Sequence, residues 1–217
     1  MPEELIKKIA EFVRLKLQNE PTGHDWFHTK RVWEMTKKLQ AKEGGDLELI
    51  ELSAIMHDLG DTSQYEFDKI KGSLILRGMM DVLAIDPERQ EKILSVIESA
   101  KYKGVDTVKP KTIEGKIIQD ADYLDALGAI GIARTFATGG RIKRILHDPN
   151  RKPRRKLNWN DISYKKQEGT SYNYFFEKAF NLLDLINTPT AREIAQKRVE
   201  FLRKYLEEFD SEWKGEK

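Results

Sequence analysis

The sequence predicts an all-α fold. Apolar residues recur at steps of three and four through most of its 217 residues. Capping residues and prolines at first-turn positions punctuate those runs. No run alternates strictly enough between apolar and polar residues to read as a strand. Hydrophobic residues make up 39% of the chain and charged residues 34%, enough apolar mass for a core beneath a surface suited to ion-pair networks. There is no internal repeat, and the whole chain, residues 1–217, reads as a single helical domain.

The elements run in order along the chain. Leu5, Ile9, Phe12, Val13 and Leu17 share one face of a first helix after Pro2, a residue tolerated in a first turn. Asp25 is placed to cap a second helix, on which His28, Val32, Met35 and Leu39 fall at steps of four, three and four. Gly44-Gly45 breaks the chain and Asp46 can cap a third helix, where Leu47, Ile50, Ala54 and His57 continue the spacing until Gly60 stops it. A fourth helix is expected over Phe67 to Leu83. Asp86-Pro87 opens a fifth, with Ile93, Val96, Ile97 and Ala100 on its face. From Lys111 to Leu127 the apolar set is Ile113, Ile117, Ile118, Ala121 and Leu124. Gly128 and Gly131 interrupt or bend this helix, and Gly139-Gly140 end its continuation. Residues 141–170 form a long irregular basic loop. Helices then resume with Ser171 as a cap and Tyr172, Phe175, Ala179, Leu182 and Ile186 on one face. Thr190 and Glu193 make a capping box for a last helix bearing Ile194, Phe201, Leu202, Tyr205 and Phe209.

Composition narrows the chemistry. Cysteine is absent and histidine occurs four times. This removes disulfides, thiolate nucleophiles, iron–sulfur clusters and cysteine zinc sites. Any metal must be held by histidine and carboxylate. No stretch approaches the roughly 18 apolar residues of a membrane helix, and Met1 to Lys16 has no signal-peptide core, so a cytoplasmic protein without membrane contact is expected. With 38 basic and 36 acidic residues the net charge is only +2, which does not by itself predict nucleic-acid binding. A phosphate loop of the glycine-rich kind ending in Lys-Ser or Lys-Thr is missing, which argues against ATP-driven chemistry.

Two of the four histidines, His28 and His57, lie on apolar faces of separate helices. Either alone reads most simply as a core histidine. His57, however, is followed at once by Asp58, and Asp120, Asp122 and Asp125 punctuate another apolar helix. Buried carboxylates are costly unless something positive sits beside them. A cation shared by the three helices would resolve these costs together.

These residues resemble the HD-domain metal-dependent phosphohydrolases. The family signature is a histidine, a His-Asp pair and a distant aspartate. It reads here as His24-Asp25-Trp26-Phe27-His28-Thr29-Lys30-Arg31-Val32, then Met56-His57-Asp58-Leu59-Gly60-Asp61, then Gln119-Asp120-Ala121-Asp122-Tyr123-Leu124-Asp125. The similarity continues through Gly131-Ile132-Ala133-Arg134 and Phe176-Glu177-Lys178, and is greatest to small bacterial and archaeal HD proteins, some of them nucleotide pyrophosphohydrolases. The resemblance implies metal ligands at His28, His57, Asp58 and Asp122, with Asp125 a rival for the last place. No histidine lies between Asp58 and Asp122, which favours one metal over two. Two imidazoles and two carboxylates suit Mn²⁺ first, with Fe²⁺, Co²⁺ or Ni²⁺ as alternatives; Mg²⁺ fits less well.

The implied activity is hydrolysis of a phosphate ester or anhydride of a nucleotide-like small molecule. Asp58 would act at the metal, and Asp61 would position the attacking water; capping a helix end is an equally weighted reading of Asp61. Arg31, Lys103 and Arg134 are candidate phosphate contacts, and His24 is a candidate for the pocket mouth. The segment from Arg141 to Lys156 carries eight basic residues against Asp148 and reads either as a flap for a polyanionic substrate or as a solvated loop. His147, within it, is expected to be exposed. Close relatives often have histidine where this chain has Tyr174. Rival readings are a nucleoside 5′-monophosphate phosphatase, and a non-enzymatic nucleic-acid-binding helical protein with a structural metal. An alarmone hydrolase fits less well. The oligomeric state is not encoded in any of these features.

Overall fold

The computed structural model describes residues 2–18, 23–59, 69–162 and 169–217. The chain is all-α. Its helices are α1 (Pro2–Leu17), α2 (Trp26–Glu43), α3 (Leu47–Met56), α4 (Lys69–Val82), α5 (Pro87–Ala100), α6 (Ile113–Asp125) and α7 (Gly128–Arg141). Next come a short α8 (Trp159–Ile162) and α9 (Ser171–Tyr174). A π-helical turn (Phe175–Ala179) then joins α9 to α10 (Phe180–Leu185), and α11 (Pro189–Trp213) completes the chain. Among the described residues no strand forms, although Gly104 and Asn158 make one isolated antiparallel bridge. No described helix is long and apolar enough to cross a membrane.

The helix starts are set by short polar side chains. Asp25, Asp46, Asp86 and Thr112 each accept a hydrogen bond from the backbone N–H three residues on, capping α2, α3, α5 and α6. Two expected caps move by one or two residues. Thr170, rather than Ser171, caps α9, and Thr188, rather than Thr190, caps α11. Thr188 is buried and sits before Pro189, which needs no N–H partner at the first helical position.

Helix α3 is the centre of the packing. Leu49, Ile50, Leu52, Ser53, Ala54, Ile55 and Met56 are all buried; a helix apolar nearly all round belongs inside a core. It packs against α2, α1, α5 and α6. Complete burial of a side chain such as Ile50 or Met56 contributes about 1.5–3 kcal/mol. Helix α2 packs mainly on α3 and α6, so the helices that bear the histidines and distant aspartates are mutual neighbours.

Some expected faces shift. Phe12 and Phe201 are exposed, and the buried stripe of α11 runs instead through Ala191, Ala195, Val199, Leu202 and Leu206. The glycines near 130 separate two helices. Leu127 is the N-cap residue of α7, and a Cβ on Gly131 would lie 2.2 Å from the carbonyl oxygen of Ala126. Glycine there lets α7 start hard against the end of α6. Helix α7 runs through Gly139-Gly140 to Arg141. The irregular segment therefore begins at Ile142, and α8 interrupts it. Gly60, the expected stop of α3, lies outside the described residues.

Candidate metal centre

The site begins at the first turn of α2. The Asp25 carboxylate accepts from the His28 backbone N–H at 2.8 Å, which fixes the turn that carries the histidine. His28 is fully buried. His57 comes directly after the last residue of α3, and its Nδ1 lies 2.7 Å from the Ala54 carbonyl oxygen. A carbonyl can only accept, so Nδ1 carries the proton and Nε2 presents a lone pair. Helix α6 contributes Asp122 and Asp125 one turn apart.

His28 is held in the same way. Its Nδ1 lies 2.7 Å from Asp125 Oδ2. The Asp125 carboxylate also accepts from Arg31 Nε at 2.7 Å, Arg31 Nη2 at 2.9 Å and Arg134 Nη1 at 3.0 Å. With two guanidinium groups beside it, Asp125 is ionised and His28 Nδ1 is the donor. Burial alone would raise the Asp125 pKa. The His28 and Arg31 hydrogen bonds and the nearby Arg134 charge outweigh it and hold the carboxyl well below its ordinary range.

Both Nε2 atoms therefore present lone pairs, and they lie 3.2 Å apart. Asp58 adds Oδ2 at 3.2 Å from His28 Nε2 and Oδ1 at 3.3 Å from His57 Nε2. Asp122 adds Oδ1 at 3.5 Å from His28 Nε2. Four electron-rich groups thus converge with acceptor atoms facing one another. Such an arrangement is repulsive without a proton or a cation between them, and the donor set suits a divalent transition metal. Asp58 is buried, and burial pushes its pKa up; positive charge on His57, His24 and His28, when they are protonated, more than offsets this and holds it well below the usual carboxylate range. The geometry groups His28, His57 and Asp122, and also His24, His28 and Asp58, with donor atoms within 4.8 Å of one another. The cluster could hold a divalent metal ion.

The other sequence candidates fall in different places. Arg31 and Arg134 both bind Asp125, behind His28. His24 Nδ1 is 3.2 Å from Asp58 Oδ2 and 3.4 Å from Arg134 Nη2, at the rim of the cluster. Lys103 is apart from it: its ammonium pairs with Glu98, which also takes Lys101. Asp120 is buried but structural, accepting from the backbone N–H groups of Asn187 and Thr188 and from the Thr188 hydroxyl. Asp61 lies outside the described residues. His147 is not the exposed side chain expected. It is half-buried among Tyr172, Phe209 and Trp213, with ring centroids 4.2–5.7 Å away.

Two features are not legible in the sequence alone. Glu177 is buried and accepts from the backbone N–H, Nε and Nη2 of Arg154, which ties the basic segment down. Lys178 lies over the rings of Tyr102 and Tyr174. Burial works against its charge, but Tyr174 and Asp122 outweigh burial and leave its pKa raised. The sequence signals that touch Lys178 are its place in the Phe176-Glu177-Lys178 stretch of the family resemblance and its spacing from Phe175, a core residue three positions earlier.

Comparison with known proteins bears on this cluster. The HD-domain family model matches residues 26–127, which contain all four converging residues. The uncharacterised protein YpgQ of Bacillus subtilis is 30% identical over 216 residues, spanning 96% of this chain and 94% of that protein. Among solved structures, one from Lactobacillus plantarum is 30% identical, with TM-score 0.88 and 98% of each chain covered. An HD-superfamily hydrolase from Bacillus thuringiensis is 35% identical, with TM-score 0.74 and 99% of each chain covered. The structure of B. subtilis YpgQ in complex with ADP is 28% identical, with TM-score 0.71, covering 95% of this chain and 97% of that one. A helical core that brings a histidine, a His-Asp pair and a distant aspartate together, with this likeness along nearly its whole length, makes the chain a member of the HD-domain family.

Proposed function

We propose that this chain is a phosphohydrolase with a single divalent metal ion, acting on a phosphate ester or anhydride of a nucleotide. The observation that carries the proposal is the convergence of His28 Nε2 and His57 Nε2, 3.2 Å apart, on the carboxylates of Asp58 and Asp122. These four residues are the proposed ligands. Asp125 is not among them because its oxygens already serve His28, Arg31 and Arg134. Manganese is the first candidate, with iron, cobalt and nickel as alternatives.

The bound ion would supply Lewis acidity toward a phosphoryl oxygen and a nucleophilic water at neutral pH. The chain's own residues do the rest. Asp125 keeps His28 in the tautomer that offers Nε2 to the ion. His24 borders Asp58, and Arg134 reaches His24 with one guanidinium nitrogen while binding Asp125 with the other; these two are the candidates to meet a phosphate oxygen. Arg31 supports this arrangement through Asp125. Asp61, three residues beyond Asp58, is the candidate for orienting the attacking water. Nucleotide as the substrate class is supported by the ADP complex of the similar YpgQ. Cleavage of an anhydride to release pyrophosphate is the finer reading, with a nucleoside 5′-monophosphate phosphatase as its rival.

The test is metal analysis of the purified protein, followed by a nucleotide panel with Mn²⁺, Co²⁺, Ni²⁺ and Mg²⁺. Separating phosphate from pyrophosphate distinguishes the two cleavages. The expected result is about one metal ion per chain and metal-dependent turnover of at least one nucleotide. A protein that binds no metal, or binds it and hydrolyses nothing, overturns the proposal.

A second reading rests on the exposed Arg141, Lys143, Arg151, Lys152, Arg155 and Lys156. Such a surface can hold nucleic acid by phosphate contacts alone. Alanine at Arg151, Lys152 and Arg155 decides it: loss of RNA or DNA affinity with unchanged nucleotide hydrolysis favours nucleic-acid binding.

A further inference from the structure

Lys178 stands on the π-helical turn Phe175–Ala179, a type of irregularity often found at functional sites. Its Nζ is 4.9 Å from the centroid of the Tyr102 ring and 5.7 Å from that of Tyr174. The adjacent carboxylate, Glu177, is turned to Arg154. Among the described residues no carboxylate lies within ion-pair distance of this ammonium. Burial opposes its charge, and Tyr174 and then Asp122 favour it; Asp122 is about one-third exposed and belongs to the His/Asp cluster.

A half-buried ammonium without a carboxylate partner is expensive. Two ring faces and a hydrogen bond with the Tyr174 side chain offset part of the cost. An anion would offset the rest. The framework around it is tied to the metal centre. Tyr102 meets Tyr123, the residue after Asp122, edge to face at 6.0 Å. Arg144 lies 5.2 Å from the Tyr174 ring, so a second cation borders the same tyrosine.

We infer that Lys178, set between Tyr102 and Tyr174 and joined to the Asp122-bearing helix α6 through the Tyr102–Tyr123 contact, is a substrate-binding residue that takes a phosphate group of the substrate outside the His/Asp cluster. The inference rests on the phosphohydrolase reading for the identity of that substrate. It assigns the two tyrosines to the wall of the phosphate site. It also gives Tyr174 a role in shaping that wall.

The test uses the full chain loaded with Mn²⁺ and the non-hydrolysable probe α,β-methylene-ADP, with binding followed by calorimetry. Lys178→Met is expected to weaken binding at least about tenfold, the loss of one charged hydrogen-bonding partner. Lys178→Arg is expected to recover most of it. Metal content should be unchanged in both, which a merely structural lysine would not guarantee. If Lys178→Met fails to fold, Lys178→Gln, polar and uncharged, takes its place. Binding within twofold of wild type, loss of metal in the variant, unfolding of both neutral variants, or no binding of the probe by wild type each overturns the inference. If the probe binds in a Lys178-dependent way but no nucleotide is hydrolysed, the hydrolase reading falls and the Lys178 assignment stands. If turnover persists with an unchanged KM in the variant, the reverse holds.

Discussion

His28 Nδ1 donates to Asp125 Oδ2 at 2.7 Å, and this bond decides which nitrogen of His28 faces the cluster. A carboxylate behind a ligating imidazole fixes its tautomer and raises its basicity. Asp125→Asn should therefore leave the four proposed ligands in place but lower metal affinity about 10–100-fold. Asp122→Asn removes a proposed ligand and should lower it further. Metal titration of both variants separates the roles. Metal retained by the Asp122 variant and lost by the Asp125 variant would reverse the assignment.

A second prediction concerns the start of α3, the helix that ends at His57. Asp46 caps it through Leu49 N–H and receives Arg89 through two hydrogen bonds. The Arg89 hydrogen bonds, ahead of the smaller opposing effect of burial, hold the Asp46 pKa below its ordinary value. A depressed folded-state pKa gives stability that is present above the unfolded value, about 4, and is lost as pH falls through the folded value. Asp46→Asn keeps a capping oxygen and removes the charge. It should flatten part of the acid-side decline in stability, with little change in the cap. Asp46→Ala removes both and should cost about 1 kcal/mol at neutral pH. Denaturant unfolding of the metal-free protein at pH 3 to 7 checks the two slopes.

The elements differ in how far local sequence reveals them. Caps at Asp25, Asp46 and Asp86 act within three residues, so residue type and position suffice to find them. His28 and His57 stand out because polar groups on apolar faces contradict their surroundings; Asp58 and, among the three aspartates of α6, Asp122 are singled out by the family resemblance, and these four lie together in the structure. Asp125 reads as a rival ligand in the sequence because its partner Arg31 lies 94 residues away and nothing local announces the pairing. Lys178 is hidden for another reason. The expected face of Tyr172, Phe175, Ala179, Leu182 and Ile186 is buried as read, but Lys178 falls beside that face and its ring partner Tyr102 lies far off in the chain, so no local pattern announces it. His147 defies its local sequence because its aromatic neighbours come from α9 and α11.

The corner between α6 and α7 gives a third prediction. In an ordinary helix Gly→Ala stabilises by about 0.5–1 kcal/mol. Gly131 should behave in the opposite sense, because the new methyl would meet the Ala126 carbonyl oxygen at 2.2 Å. Helix α7 must then move away from the end of α6, which carries Asp125. A destabilisation of about 1–3 kcal/mol is expected from overpacking. Arg134, three residues on, should also lose its alignment with Asp125. Thermal unfolding and metal affinity measured together test both consequences, and a stabilised Gly131→Ala would refute the packing account.

The last prediction addresses the basic segment. Glu177 is buried and accepts three hydrogen bonds from Arg154, one of them from its backbone N–H. One carboxylate thus holds both the main chain and the side chain of a segment with little regular structure. Breaking such a pair removes three charge-assisted hydrogen bonds from Arg154, at a cost of about 3 kcal/mol. For a chain of this size that corresponds to a fall in Tm of roughly 6–12 °C. Glu177→Gln should show most of this loss, because a neutral amide offers the guanidinium weaker acceptance and sets an NH₂ group against it. Metal content should not change, since the Glu177 carboxylate is turned to Arg154 and not to the His/Asp cluster. Trypsin should cut faster near Arg151 and Arg155, which are exposed while Arg154 is anchored. If the segment contributes to holding a polyanionic substrate, KM should rise in this variant while kcat stays close to wild type. A lowered Tm with unchanged proteolysis would instead place the effect in the π-helical turn, and the segment would then be held by contacts other than Glu177.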